Sequence, residues 1–296
     1  MPELPKLGLT EIIGEARVVA EFLRFECDTM ADRNPHQASA KWHPVLLIPG
    51  FMASDASLYP LGARLQSAGH RVFYSGIWMN ADCPHKTLDR LTAELHEVAL
   101  KTGRKVVLIG HSLGGIYARE VARRDPALVE RAILLGAPIK HSPEHVTPYL
   151  RPFIAAMSLI HSRCLESMGS PCPTCGFDLP EAPPQVPETV IYTRSDGIVE
   201  WQSCLEHGPK IECIEVDSSH CGIPFNLKTW ETISERLSLA PTTIGRVEAP
   251  RIAAKPQPLP HRRRQSSYLR LVPGRLAAQS ARTDPQRVGS VEPSSA

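Results

Sequence analysis

Short apolar runs alternate with helically spaced apolar positions along most of the chain. The run "PVLLIPG" at 44–50 predicts a strand, and 57–68 then places Leu58, Leu61 and Leu65 on one helical face. "HRVFYSG" at 70–76 predicts a second strand. A helix over 87–101 follows, with Leu88, Leu91, Leu95 and Val98 spaced three and four apart. "KVVLIGH" at 105–111, "RAILLGAP" at 131–138, "ETVIYTRSD" at 188–196 and "KIECIEVDSS" at 210–219 predict four more strands. Helices are predicted over 113–124 and over 225–239, the latter carrying Trp230, Ile233 and Leu237. Strands that are apolar throughout, separated by helices, imply a mostly parallel central sheet covered by helices on both faces, an α/β architecture.

Three stretches depart from this rhythm. Residues 9–25 put Leu9, Ile12, Ile13, Ala16, Val19, Phe22 and Leu23 on one face, so 1–42 is expected to hold an amphipathic helix, packed on the domain, and a polar linker. Residues 43–240 form the main domain. Within it, 139–187 is long and Pro-rich at its end, the character of a lid over a site. From residue 241 to 296 the chain is rich in Pro, Arg, Ser and Ala with little apolar periodicity, and is expected to be a disordered tail.

Charge sharpens that division. The 296 residues carry a net charge of +2, but ten Lys/Arg stand against three acids after residue 240, leaving 23 basic and 28 acidic residues before it. The basic tail suits weak contact with anionic surfaces, while nothing in the body predicts nucleic-acid binding. The first residues lack a basic start followed by an apolar core, and no apolar run approaches the ~20 residues of a membrane span, so a cytoplasmic protein is expected.

The chemistry centres on Gly110-His111-Ser112-Leu113-Gly114, a G-x-S-x-G pattern between a predicted strand and a predicted helix. Such a turn projects a serine hydroxyl above the sheet. A serine needs a base to take its proton and an acid to orient that base. Asp196 follows the fifth predicted strand and His220 the sixth, giving the chain order Ser, acid, His. Asp217, Asp178 and Glu200 compete as the acid, and His207 and His111 as the base. His111 is expected beside the site rather than serving it. An oxyanion would need two backbone N–H donors. Leu113 supplies one, and Phe51, in "LIPGFMASD", the other, with Met52 the next candidate.

The segments "HPVLLIPGFMASDAS", "GRKVVLIGHSLGGIYAREVARRDP", "AILLGAP", "IYTRSDGIVEWQSC" and "DSSHCGIPFN" resemble those of the α/β-hydrolase superfamily, in particular its lipase/esterase-like bacterial serine hydrolases. The resemblance covers roughly residues 43–239. It implies the α/β-hydrolase fold, with Ser112 as nucleophile, Asp196 as acid and His220 as base. One departure is Pro-Gly at 49–50 where many members have His-Gly; the contact at issue is made by backbone, so the geometry survives the change.

The expected reaction is hydrolysis of a carboxylic ester, of a small molecule or a lipid and with an apolar acyl group. Acyl transfer or thioester hydrolysis on the same triad, or a catalytically silent binding protein on this fold, stay open as alternatives. No cofactor is expected, since the glycines at 110–115 lack the G-x-x-x-x-G-K phosphate-loop pattern. Cys172 and Cys175, with Cys164 and His161 nearby, offer a lid disulfide or a zinc site, but without a second C-x-x-C no metal is expected. Cys204 and Cys221 flank the acid and histidine loops, as a bridging pair or as two free thiols.

Overall fold

A computed structural model of the chain describes residues 14–31, 41–139 and 183–244. Six strands form one sheet: β1 (Pro44–Ile48), β2 (Arg71–Tyr74), β3 (Val106–His111), β4 (Val129–Leu135), β5 (Glu188–Tyr192) and β6 (Ile211–Glu215). The spatial order is β2-β1-β3-β4-β5-β6, and every neighbouring pair is parallel. Parallel neighbours require crossovers. Among the described residues these include α2 (Tyr59–Ser67), α3 (Pro84–Thr102) and α4 (Leu113–Arg124), while α5 (Leu227–Leu237) follows β6 and α1 (Val18–Ala31) precedes the sheet.

Alternation along the strands builds a core on each face of the sheet. Leu46, Ile48, Leu108 and Leu134 pack with Leu91, Leu95 and Val98 of α3 and Tyr117 and Val121 of α4. Val45, Leu47, Val107, Ile109, Ile133 and Leu135 pack with Leu61 and Leu65 of α2 and Ile233 and Leu237 of α5. Both faces of the central strands are therefore covered, which is the reason their apolar runs are continuous rather than alternating.

The expected strands and helices are present with shifted ends. Residues 216–219 leave β6 early and become the loop leading to His220. Helix α5 starts at Leu227 because Asn226 caps it, its side chain accepting from the N–H groups of Lys228 and Thr229. The first helix differs more. It runs from Val18, and Val19 and Leu23, expected on its buried face, are 63% and 57% exposed. The side chains that dock are Phe22 and Phe25, both edge-on to Phe225 at 5.5 and 6.1 Å. Aromatic edge contacts, with Arg64 stacked 4.9 Å over Phe25, select this face over the wider aliphatic one. Residues 1–13, 140–182 and 245–296, with most of the expected lid, the whole Cys164/Cys172/Cys175 group and nearly all of the expected tail, lie outside the described residues. Among the described residues no helix is long and apolar enough to cross a membrane.

Candidate active site

Strand β3 ends at His111, and α4 begins at Leu113, so Ser112 alone makes the turn. Its backbone takes φ 52° and ψ −120°, a region that L-residues avoid at a cost of about 1–3 kcal/mol. The turn is held from both sides. Ser112 N–H donates to Leu135 O on β4 at 2.7 Å, and its carbonyl accepts from Gly115 N–H at 2.9 Å. Glycine at 110 and 114 is a steric requirement: a Cβ at Gly110 would overlap the Gly114 carbonyl, and one at Gly114 would overlap the Ile48 carbonyl. Leu113 is the first residue of α4, so its N–H is among those with no acceptor inside the helix.

The loop after β1 passes directly against this turn. A Cβ built at Gly50 would lie 3.3 Å from Ser112 Cβ. The loop is stitched to the one after β2: Met52 N–H donates to Asn80 O at 3.0 Å, Asn80 N–H to Ala53 O at 2.8 Å, and Asn80 Nδ2 to Pro49 O at 2.7 Å. Met52 also has a positive φ of 59°. Its N–H is thus committed to Asn80.

Asp196 and His220 come together at the ends of β5 and β6. Asp196 Oδ2 lies 2.6 Å from His220 Nδ1, and both side chains are almost wholly buried. The second carboxylate oxygen, Oδ1, accepts from Ile198 N–H at 2.9 Å and Val199 N–H at 2.8 Å, so the acid is fixed before it meets the ring. Because a carboxylate only accepts, Nδ1 carries the proton and Nε2 is left with its lone pair. Burial pulls the His220 pKa down, but the charge of Asp196, its hydrogen bond and the charge of Glu15 outweigh burial and raise it.

Asp217 and His111, two of the competitors, have other partners. Asp217 is exposed and paired with Arg17 at 3.0 Å. Asp178 lies outside the described residues. His111 sits beside the site: its ring centroid is 5.1 Å from that of His220, and its Nε2 donates to the His220 carbonyl at 3.0 Å. Burial and the neighbouring His220 push its pKa to about 3, so it stays neutral. No hydrogen bond joins Ser112 Oγ to His220 among the described residues. Such contacts are often long in free enzymes and tighten around substrate.

Cys204 and Cys221 are both free thiols, so the bridge considered for them does not form. Burial raises the pKa of Cys204, and that of Cys221 to about 12, which keeps both protonated. No group of three or more metal-ligating side chains occurs among the described residues. Two residues absent from the expected set contact the site loops, Glu15 and Glu21. Their partners lie about 200 positions away in the chain, beyond any local pattern.

Comparison with known proteins agrees with this architecture. A family model described as the alpha/beta hydrolase family matches residues 45–205, and the chain belongs to that family. It is 32% identical over 151 residues to a triacylglycerol lipase of Burkholderia plantarii, covering 48% of this chain and 38% of the relative. It is 33% identical over 113 residues to a triacylglycerol lipase of Pseudarthrobacter phenanthrenivorans, covering 35% of each. The chain thus spans well under half the length of these curated relatives. Among solved structures, Aspergillus fumigatus lipase B superposes with a TM-score of 0.50 at 17% identity, over 72% of this chain and 56% of that one, a likeness of fold.

Proposed function

We propose that the protein hydrolyses carboxylic esters, with Ser112 as nucleophile, His220 as general base and acid, and Asp196 as the group that orients His220. The observation that carries this is the buried 2.6 Å Asp196–His220 hydrogen bond at the same end of the sheet as a serine held at positive φ between a strand and a helix. In this reading Ser112 Oγ attacks the ester carbonyl carbon while its proton passes to His220 Nε2. The carbonyl oxygen becomes an oxyanion, held by the N–H groups of Leu113 and Phe51 and favoured by the N-terminus of α4. The C–O bond breaks, the alcohol leaves with the proton from His220, and an acyl-enzyme remains. His220 then takes a proton from water as that water attacks the acyl carbon, and returns it to Ser112 Oγ as the carboxylic acid is released.

An apolar acyl group is favoured by the surface around the loop after β1. Met52, Trp78 and Met79 are exposed, and the Asn80 hydrogen bonds bring their two loops together. Two relatives bear the name triacylglycerol lipase, which points the same way. p-Nitrophenyl esters of graded chain length test the proposal. The expected result is hydrolysis whose kcat/KM rises from acetyl to octanoyl. Absence of hydrolysis across the series by folded protein would overturn it.

A further inference from the structure

The loops that carry Asp196 and His220 belong to different strand ends, and neither residue lies in a helix or a strand. Their backbone N–H groups must nevertheless find acceptors where they are buried. Part of that need is met from outside the sheet, by two carboxylates on the segment before it. Glu15 Oε1 accepts from Gly197 N–H at 2.9 Å and from His220 N–H at 2.8 Å, and Oε2 accepts from Cys221 N–H at 3.1 Å. One side chain therefore bridges the residue after Asp196 to His220 itself. Glu21 Oε1 accepts from Ser219 N–H at 2.8 Å, and its Oε2 accepts from Ser219 Oγ–H. Ser219 Oγ in turn accepts from Gly222 N–H at 3.0 Å. A Cβ at Gly222 would overlap the Glu21 carboxylate, so this close approach requires glycine there.

The segment bearing both acids has further anchors, of which Arg17 also pairs with Glu21 at 3.8 Å. Phe22 and Phe25 pack against Phe225, at the far end of the histidine loop. Arg64 stacks on Phe25 and on Trp230 of α5, and Arg17 pairs with Asp217. Hydrogen bonds from N–H to an ionised carboxylate are roughly twice as strong as neutral ones. Asp196 fixes the imidazole ring; Glu15 fixes the backbone from which that ring hangs.

We infer that Glu15 and Glu21 are positioning residues that lock the histidine loop to the acid loop and so set where His220 Nε2 stands above Ser112. The inference rests on the triad reading above. The charge of Glu15 also adds to that of Asp196 in favouring protonated His220. The other titratable groups facing this loop are Glu21, Arg17 and Asp217 from the N-terminal contact, His111 from the end of β3, and Cys221 beside His220.

The test compares wild type, Glu15→Gln, Glu15→Asp and Glu21→Gln in the full chain. It reads kcat and KM for a p-nitrophenyl ester across pH, and Ser112 labelling by a fluorophosphonate. The expected result for Glu15→Gln is a kcat lower by about 10- to 100-fold, since small displacements of a catalytic group cost on that order. KM should change about twofold at most, and the acid limb of the pH profile should move to lower pH. Glu15→Asp keeps the charge on a shorter arm, so kcat falls while the acid limb stays; this variant carries the test if Glu15→Gln does not fold. Glu21→Gln, one contact further from the ring, lowers kcat less and leaves the acid limb in place. Wild-type kcat and an unmoved acid limb in folded Glu15 variants, with only the melting temperature lowered, would overturn the positioning role and leave the triad standing. A wild-type protein that neither hydrolyses ester nor labels would instead overturn the triad reading.

Discussion

Among the described residues, two buried histidine–carboxylate pairs stand at opposite ends of the same parallel sheet. His43, just before β1, has Nδ1 3.3 Å from Glu130 on β4 and Nε2 2.9 Å from the Leu239 carbonyl beyond α5. His220, beyond β6, has Nδ1 2.6 Å from Asp196 and makes no hydrogen bond through Nε2 among the described residues. Composition does not separate the pairs, and neither does burial. The second ring nitrogen does. A ring with both nitrogens facing fixed acceptors is a tie between segments, and it joins the starts of β1 and β4 to the end of α5. A ring with one nitrogen uncommitted can accept a proton. The free nitrogen stands at the carboxyl ends of the strands, where the loops of open α/β sheets carry their ligands.

The sharpest break of this comparison is to delete each ring. His220→Ala should lower kcat by about 10⁴-fold or more with the fold intact, as removal of a catalytic base does. His43→Ala should leave kcat per folded molecule within about twofold of wild type while destabilising the protein by about 1–3 kcal/mol, because Glu130 loses a buried partner. Steady-state kinetics and denaturant unfolding on both variants check this. Loss of activity in His43→Ala without loss of stability would collapse the distinction.

The carboxylates sharpen the same contrast. Asp196→Asn should cost about 10³- to 10⁴-fold in kcat by releasing the tautomer that Asp196 imposes. His220 has a raised pKa, so activity should be lost as the pH falls through a value above the ordinary histidine range near 6.5. Asparagine at 196 removes the charge that raises it, so the acid limb of kcat/KM should move to lower pH. A pH–rate profile of both proteins measures this.

The smallest effect concerns another buried acid at the His43 end of the sheet. Glu188, at the start of β5, pairs with Arg119, which also reaches Glu206. Burial outweighs that pairing and raises Glu188 to about 7. The folded state therefore favours protonated Glu188, and the stability this contributes is present at acidic pH and lost as the pH rises from about 4.5 to 7. Thermal melts should show wild-type stability declining across that window, and Glu188→Gln declining less, with catalysis unaffected at the far end of the sheet.

Much of this was legible before any coordinates. Continuous apolar runs marked buried parallel strands, and the glycines around Ser112 marked a turn too tight for side chains at 110 and 114. Asp196 and His220 were legible by chain order after successive strands. What periodicity could not supply was the choice among tertiary partners. Along 14–31 the aliphatic face looked like the buried one, yet docking is decided by Phe225 and Arg64, some 200 and 40 positions away. Glu15 and Glu21 escape a reading by periodicity for the same reason: the N–H groups they satisfy belong to loops whose position only the folded sheet defines. Cys204 and Cys221 flank the site in sequence, and nothing in their spacing distinguishes a bridge from the two free thiols observed.

The nucleophilic role of Ser112 is the claim on which the rest depends. Intact-mass and peptide analysis after exposure to a fluorophosphonate reads it directly. The account predicts one adduct per chain on the Ser112 peptide, abolished in Ser112→Ala. Wild-type protein that stays unlabelled, or a Ser112→Ala variant that labels equally, would contradict it.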